Sequence, residues 1–478
     1  AGKAHEVKGY TVATRVFGRK ANFDQATDPI VSIQANKLRR ALERYYLVAG
    51  KQDQIRIDLP IGSYVPTFQI QPLGEPEPAA PRVEDLAGGW PSVLVKPFKN
   101  LTGDAEQDFF VEGISTELAI ELARYQDIVV LIRQTKDKKK DHRKPVARFQ
   151  VKGSVRQDRN FIKVAVQLID TKTHRQSWGD FYQIDQDAAQ LIAFQEHVSQ
   201  LISSIIAGEH GIISKTLSIE SRHKPPTNLK TYEAILRYYQ FDLLHTPETF
   251  SRAWEALQHA AAVEPECGQV WSMLGRLYWV NYSLELFDLE TSMKKALALA
   301  ERGVQLEPAN QRTRTAFALA LFFNNELPAA LAELERALAL NPNSLFFMDN
   351  IGYLFTLLGE WERGAALIRK AIKLNPYYRH FVHYGLWLDW FRQEEYERAY
   401  LETLNLRRQG IFWEPLCQAA TFGLLGRLTE GKQAAEELLK LKPEFPTRGL
   451  VLIGHYIKFE DIVERVITGL QNVGLDLA

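Results

Sequence analysis

The stretch LFFMDNIGYLFTLLGEWERGAALIRKAIKLNP, residues 345–376, decides the fold of most of this chain. Apolar residues recur at helical spacing on both sides of Gly359, and Pro376 ends the second of the two predicted helices. Proline also follows a predicted helix at positions 265, 308, 342 and 443. With Pro376 included, the spacings between successive prolines are 43, 34, 34 and 67 residues. Small residues precede most of these prolines by five and by twelve positions, where they let paired helices approach closely. The pattern predicts a repeat of helix pairs.

A period of 34 residues with this frame of small residues and proline resembles the tetratricopeptide repeat (TPR) family. The resemblance implies an all-α TPR superhelix over residues 229–478. Six units fit between residues 229 and 443. Two further helices, Arg448–Tyr456 and Glu460–Asn472, are expected to cap the open end, as repeat arrays need. The second unit carries about nine additional residues near Asn281–Thr291, which are expected to protrude.

Composition bounds the class of protein. A length of 478 residues predicts two to four domains, and 58 Lys and Arg against 58 Asp and Glu favour neither nucleic acid nor membrane for the whole chain. Cys267 and Cys417 lie in different repeats and form no disulfide or zinc spacing, so we expect a cytoplasmic, reducing location. No apolar run reaches the roughly 18 residues of a membrane span. The chain begins with Ala1, and we expect the natural start to lie upstream.

Residues 1–70 form a basic segment, with 11 Lys and Arg against 6 Asp and Glu. The patterns predict helices at Glu6–Phe17 and Ile30–Tyr46, then a hairpin of strands Gln54–Asp58 and Tyr64–Gln69. Helix, helix and hairpin is the order of a winged helix-turn-helix domain. The segment ANKLRRAL, residues 35–42, followed by this hairpin resembles response-regulator winged helices, in which the equivalent helix enters the DNA major groove.

The longer stretch VFGRKANFDQATDPIVSIQANKLRRALERYY, residues 16–46, resembles a group of bacterial multidomain proteins. They join a winged helix to a TolB-amino-terminal-like domain and TPRs, and they are often labelled adenylate cyclases or transcriptional regulators. In that group another helix precedes the point where this chain begins. Ser32 and Ile61 replace the arginine and lysine usual in the group, so we expect weak duplex binding at most. The positions that the resemblance implies for DNA contact are Ser32, Gln34, Lys37, Arg40, Arg44 and Arg56.

Residues 71–90 hold four prolines and three glycines, which predicts a semi-extended linker. Residues 91–214 alternate strands and helices, and VLVKPFKNLTGDAEQDFFVEGISTEL (residues 93–118) and VKGSVRQD (residues 151–158) resemble the TolB amino-terminal domain. That resemblance implies an α/β domain with no known active site. Within it, Lys136–Lys144 is expected to be an exposed basic loop. Residues 215–228 are predicted to link this domain to the repeats.

The sequence offers no phosphate loop and no dinucleotide-binding glycine motif. Ser115 lies in GISTE, which lacks the closing glycine of a nucleophile elbow and falls inside an amphipathic helix. His380 and His383 have helical spacing but lack the third and fourth ligands of a metal site. We therefore expect no enzyme activity, no cofactor and no metal, and we expect a function in binding.

The first helix of each TPR unit lines the concave face in this family. Aromatic side chains on that face are typical anchors for a partner protein. An open alternative is that Trp387 and Trp390 pack between units or against the capping helices. The predicted partner-binding groove contains Arg276, Trp279, Arg312, Phe346, Asp349, Tyr353, His380, His383, Trp387, Trp390 and Trp413.

Two hypotheses for function follow, and they belong to different classes. The first is a non-enzymatic adaptor that binds a partner protein, of unknown identity, through the concave groove. The second is a one-component transcriptional regulator whose TolB-like and TPR domains sense a signal while the winged helix binds DNA. A continuous basic surface and a steep salt dependence of binding would favour the second hypothesis.

Overall fold

The computed structural model describes residues 7–24, 28–48, 53, 55–60, 62–70, 89–132, 146–158, 161–185, 188–285, 292–342, 344–375, 378–406 and 411–478. Contacts divide the chain into two compact units. The first contains the described residues up to Ile70, and the second contains those from Gly89 onward. The predicted loop Lys136–Lys144 lies outside the described residues.

The first unit has the predicted order of helix, helix and hairpin. Helix α1 spans Gly9–Arg15, helix α2 spans Ile30–Val48, and strands β1 (Ile55–Asp58) and β2 (Thr67–Ile70) pair antiparallel. Arg39 on α2 donates to the carbonyls of Leu59, Pro60 and Ser63 at 2.7–3.0 Å. These hydrogen bonds hold the hairpin against α2. They also satisfy carbonyl groups that would otherwise lack a donor. The assignment of a winged helix stays a prediction.

The second unit begins with an α/β domain whose strands match the predicted ones closely. Its elements are β3 (Ser92–Val95), β4 (Lys99–Asn100), α3 (Asp108–Ala123), β5 (Val129–Ile132), β6 (Phe149–Asp158), β7 (Phe161–Asp170), β8 (Arg175–Asp185) and α4 (Ala188–Ala207). The strands of its sheet have the order β5–β3–β6–β7–β8, and β4 also pairs with β6. Strand β3 runs parallel to its neighbours β5 and β6, whereas β6, β7 and β8 form an antiparallel meander. Alternate residues of β7 are buried, as period-two patterning requires. Two helices, α3 and α4, cover this buried face.

The first half of the predicted linker at residues 215–228 is helical. Helix α5 spans Ile212–Ser221, and a short 3₁₀ turn follows at Pro226–Asn228. Buried Arg148, immediately before β6, makes two hydrogen bonds to Asp170, at 3.0 and 2.8 Å, and pairs with Glu220 on α5. The helix is therefore anchored by an arginine that lies 72 residues earlier in the chain, a contact that local sequence does not indicate.

Antiparallel helix pairs make up the rest of the second unit, in agreement with the predicted repeat. Gly364, a small residue of the repeat frame, lies where two helices meet, because a Cβ there would lie 2.7 Å from the carbonyl oxygen of Gly352. The pairs are α6 (Thr231–Leu244) with α7 (Pro247–Val263), α8 (Gly268–Leu284) with α9 (Met293–Leu306), α10 (Gln311–Phe323) with α11 (Leu327–Leu340), α12 (Leu345–Leu357) with α13 (Trp361–Leu374), α14 (Val382–Arg392) with α15 (Tyr396–Thr403), and α16 (Trp413–Leu425) with α17 (Leu428–Leu441).

The protruding insertion predicted at Asn281–Thr291 is wrong for its first residues. Residues 281–284 continue helix α8, and Asn281, Ser283 and Leu284 are buried. Residues 286–291 lie outside the described part of the chain. The two C-terminal helices are confirmed as α18 (Phe445–Tyr456) and α19 (Glu460–Asn472). Cys267 and Cys417 are free thiols. Among the described helices, none has the length and apolar character to cross a membrane.

Candidate functional site

The predicted DNA positions lie on α2 and β1 of the first unit. Lys37 and Arg56 are exposed, and the Arg56 guanidinium lies over the Tyr46 ring. Ser32 and Gln34 are half-buried, and the Ser32 hydroxyl donates to the Pro29 carbonyl within the first turn of the helix. The side chains of Arg40 and Arg44, and residue Ile61, lie outside the described part.

Four of the predicted groove residues come together in one place inside the helical repeat. Arg276 and Trp279 on α8, Tyr353 on α12 and Trp413 on α16 all line a single pocket. Their helices are the first of their pairs, as the TPR resemblance implies. These side chains are not an open surface, however, because Trp279, Tyr353 and Trp413 are each more than nine-tenths buried.

The Trp387 side chain lies in the core of the repeat, so its prediction as a groove residue is wrong. Its ring is fully buried, and its Nε1 donates to Thr421 Oγ1 of the next unit at 2.9 Å. Trp390 also faces away from the pocket, since its ring is covered by Arg369 and Arg398 of the second helices of units four and five. The alternative that these two tryptophans pack between units is therefore confirmed.

His380 and His383 are likewise absent from the pocket lining. His383 is buried and contacts Glu402 on α15, Nδ1 to Oε2 2.6 Å, while exposed His380 contacts the Asn405 carbonyl. The inward residues of this unit are Phe381 and Tyr384. The predicted register of unit five was thus one residue early, and each residue of error turns a helix position by about 100°.

The other residues predicted for the groove lie either in the core of the repeat or at its interface with the α/β domain. Asp349 is buried and accepts a hydrogen bond from the Arg379 backbone at 3.1 Å. Arg312 contacts the α/β domain rather than an open groove. The side chain of Phe346 lies outside the described residues, but its neighbour Phe347 packs against the core of the α/β domain.

The C-terminal helices do not only cap the last unit. Helix α19 packs on α16, but the Tyr456 ring at the end of α18 contacts Phe323, Tyr384 and Trp413, and its hydroxyl lies 2.9 Å from Ser283 Oγ. Lys442 and Arg448 pair with Glu285 at the end of α8. The C-terminal segment therefore crosses the ends of the inner helices and returns to unit two.

The starts of the inner helices are covered from the opposite side by the α/β domain. The Gln126 amide donates to the Ala309 carbonyl at 3.1 Å, and Arg312 Nη2 lies 2.6 Å from Asp127 Oδ2. Glu209, at the end of α4, pairs with Arg312 and with Arg379, the latter at 3.5 Å. Two parts of the same chain thus cover the two ends of the inner helices.

Between these two parts of the chain remains a pocket that is partly open to solvent. Its wall is mostly aromatic and aliphatic, with polar groups at Asp242, His245, Arg276, Asn350 and Glu414. The apolar lining is Trp279, Val280, Leu284, Leu319, Phe323, Tyr353, Phe381, Tyr384, Leu406, Ile411, Trp413 and Tyr456.

A buried ion-pair network adjoins the pocket. Arg276 Nη2 lies 3.0 Å from Asp242 Oδ1, and His210 Nε2 lies 3.9 Å from Asp242 Oδ2. Burial acts to raise the pKa of Asp242, but the charges of Arg276 and Arg379 outweigh it and hold that pKa below its ordinary value. Asp242 therefore remains ionised.

Possible ligand atoms of Glu209, His210 and Asp242 lie within 4.8 Å of one another. Both carboxylates are already paired with arginines, and the positive charge of those arginines opposes a bound cation. These residues form an ion-pair network at the domain interface, and the geometry does not favour metal ligation. Ser115 is also structural, since its Oγ accepts from the Phe98 amide and donates to the Val111 carbonyl.

The sequence reasoning missed Tyr384, Tyr456, Asp127 and Glu209. The local signal for Glu209 is a carboxylate that directly follows the apolar run of α4, and Asp127 similarly precedes a buried strand. Their partner Arg312 is 103 and 185 residues away in the chain, so no periodic pattern relates them.

The chain matches no protein-family profile. It is similar to a curated protein of Rhizobium meliloti (strain 1021) named "Putative adenylate cyclase 3", with 24% identity over 252 residues. The similar region is 50% of this chain and 42% of that protein, so the chain spans less than half of its relative's length. At this identity and coverage, the relative's name does not establish an activity for this chain.

Proposed function

We propose that this chain is a non-enzymatic, cytoplasmic regulator, in which the second unit is a sensing module and the first unit is a DNA-contacting output. The observation that carries the proposal is that two parts of the same chain cover the inner helices. Because α18 and the α/β domain lie there, the described residues leave no open groove for an extended partner segment, whereas a partly open pocket is retained. Such a pocket suits a small ligand better than a protein segment.

The first unit supports the output role through its charge and order of elements. Residues 1–70 carry 11 basic and 6 acidic side chains in a chain that is neutral overall. Exposed Lys37 on α2 and exposed Arg56 on the hairpin place positive charge on both elements that a winged helix uses to contact duplex.

The test is binding of the full chain to a random-sequence duplex pool, followed by anisotropy titration of enriched duplexes at several salt concentrations. Lys37→Ala and Arg56→Ala are each expected to weaken binding and to reduce the salt slope by about one. Lys432→Ala, an exposed lysine of α17, is the matched control. Two results would exclude the DNA-contacting role. One is an affinity for duplex that does not change with salt concentration. The other is an affinity of Lys37→Ala and Arg56→Ala that equals that of the control variant.

An adaptor function is the second candidate, and one observation favours it. Leu450 and Val451 on α18 are 40% and 46% exposed, although the same helix buries Leu452 and Ile453. A partner protein would then dock on the outer side of α18 rather than in the groove. Leu450→Ser with Val451→Ser, compared with wild type in a pull-down that uses the full chain, tests this candidate.

The cyclase name of the relative has no support in the pocket. Its lining carboxylates are Asp242, which is held by Arg276, and Glu414. Nucleotide cyclisation needs groups that are free to bind phosphates and metal ions, whereas the Arg276 guanidinium and the Asp242 carboxylate of this wall pair with each other. Production of cyclic AMP from ATP and Mg²⁺ by the purified chain would overturn the non-enzymatic part of the proposal.

A further inference from the structure

One face of the sheet in the α/β domain is open to solvent within the described part of the chain. Helices α3 and α4 pack on the opposite face, which carries Val155 and Val164. Because successive residues of a strand point to opposite sides of a sheet, the residues between these valines face solvent. Gln167 on β7 and Phe181 on β8 are exposed there. The open face is therefore formed by alternate residues of β6, β7 and β8.

Four basic side chains lie on this open face. Arg156 on β6 and Lys163 on β7 are direct cross-strand partners, although like charges in that position destabilise a sheet. Lys99 on β4 lies opposite Ser154, which separates Lys152 from Arg156 along this side of β6. None of the four forms an ion pair with another described side chain. Their repulsion is thus uncompensated within the described residues, and an anionic ligand would relieve it.

Two aromatic rings stand among these charges. Phe181 and Phe161 are 61% and 42% exposed, on β8 and β7. Lys163 Nζ lies 5.0 Å from the centre of the Phe181 ring, so a cation and an aromatic ring are already adjacent. Phe161 lies four residues before Ala165, the partner of Phe181, which separates the two rings by about 13 Å along the strands. The face therefore presents two separate stacking positions beside its positive charge.

This combination favours single-stranded nucleic acid over other anions. Its phosphates match the cations, and its bases are free to stack on exposed rings, whereas the bases of a duplex are already stacked on one another. Gln167 and Gln183 lie on the same face, and their amides suit the edges of bases better than a lipid surface. Asp185 is an acid on this face, but it lies opposite Phe161 at the end of the strands, beyond the basic side chains.

We propose that the open face of the α/β sheet binds single-stranded nucleic acid. The phosphates lie on the four basic side chains, and bases stack on Phe181 and Phe161. This inference goes beyond the proposed function, because the face belongs to the second unit, whereas the proposed contact with duplex belongs to residues 1–70. RNA and DNA strands share the phosphates and the stacking bases, so the test includes both.

The test is anisotropy titration of the full chain with labelled probes of about twelve nucleotides. The probes are oligo(dT), oligo(rU), an abasic strand with the same number of phosphates, and a duplex of the same length. We expect oligo(dT) and oligo(rU) to bind at least about fivefold more tightly than the abasic strand, because stacking adds to the phosphate contacts. Equal affinity for the abasic strand would overturn the proposal, since the surface would then be a general binder of polyanions.

Variants separate stacking from charge. Phe181→Ala should reduce the preference for oligo(dT) over the abasic strand by about fivefold or more. Arg156→Gln with Lys163→Gln should weaken binding of every single strand and reduce the salt slope by about 1.4, or 0.7 for each cation. This double variant removes a repulsion, so its urea midpoint should not fall.

Matched controls lie elsewhere on the second unit. Phe109→Ala, in a ring that is 84% exposed on α3, is the control for Phe181→Ala. Lys373→Gln with Lys432→Gln, two exposed lysines of the repeat, is the control for the double variant. The proposal is wrong if Phe181→Ala keeps the wild-type preference for bases, or if Arg156→Gln with Lys163→Gln binds oligo(dT) as tightly as its control.

A variant of the first unit distinguishes this site from the duplex contact. Lys37→Ala with Arg56→Ala should leave the affinity for oligo(dT) unchanged, whatever its effect on the affinity for duplex. Loss of oligo(dT) binding in that variant would assign the single strand to the first unit and overturn the proposal. Failure of the single-strand site and failure of the DNA-contacting role are therefore distinguishable.

Discussion

The Arg312 guanidinium at the start of helix α10 donates to Asp127 of the α/β domain, Nη2 to Oδ2 2.6 Å, across 185 residues of sequence. Tyr239 donates to the same carboxylate oxygen at 2.5 Å, and the second nitrogen of Arg312 pairs with Glu209. Burial, reinforced by the charge of Asp127, raises the pKa of Tyr239 well above its ordinary value, so the phenol stays protonated and keeps donating. The two domains are joined by buried charges that depend on one another.

Arg312→Ala should therefore destabilise the second unit strongly. It leaves Asp127 and Glu209 buried without their arginine, and breaking a buried ion pair from one side costs about 3–5 kcal/mol. Arg363→Ala breaks an exposed pair with Glu335 and should cost less than about 1 kcal/mol. Urea unfolding of both variants measures the free energies, and equal losses would show that the Arg312 cluster is not specially stabilising.

Trp387→Ala should unfold the repeat at much lower denaturant concentration. The fully buried ring fills the space between units five and six, and truncations of this kind cost about 3–5 kcal/mol. Trp390→Ala is the matched comparison, since that ring is partly buried beneath Arg369 and Arg398 and should cost about 1–2 kcal/mol. Similar midpoints for the two variants would place Trp387 outside the core.

Much of the fold follows from local patterns in the sequence. Prolines and small residues at a fixed period predict the helix pairs, and alternation in residues 162–168 predicts β7, because both signals depend on neighbours a few residues apart. The candidate site follows less well. Arg276, Trp279, Tyr353 and Trp413 were predicted to face inward and do so, whereas a register error of one residue replaced Phe381 and Tyr384 by His380 and His383.

Local patterns could not predict that α18 and the α/β domain cover the ends of the inner helices. Tyr456 meets Ser283 across 173 residues, and Gln126 meets Ala309 across 183. A helix with one apolar face predicts that the face is buried, but it does not predict against which surface. For the same reason, α18 was expected at the open end of the array rather than across the inner helices.

Tyr456→Ala should release the end of α18 from the inner helices. The variant removes ring contacts to Phe323, Tyr384 and Trp413 and the hydroxyl contact to Ser283. Hydrogen exchange should accelerate over residues 445–456 and at the end of α8, while β7 of the α/β domain keeps its protection. Tyr396→Ala, a half-buried tyrosine on α15, is the control. Unchanged protection in Tyr456→Ala would show that this ring does not hold the segment.

Lys458, between α18 and α19, should make the stability of the C-terminal segment depend on alkaline pH. Burial lowers the pKa of its ammonium to about 8, against about 10.4 in an unfolded chain. Between these values the unfolded chain binds more protons, so the free energy of unfolding rises with pH; below pH 8 the full cost of burying the charge is present. Lys458→Met removes the titrating group and should be more stable than wild type at pH 7, with the difference shrinking by pH 10. Urea midpoints of both proteins at pH 7, 8.5 and 10 measure this, and a difference that does not change with pH would show that Lys458 keeps an ordinary pKa.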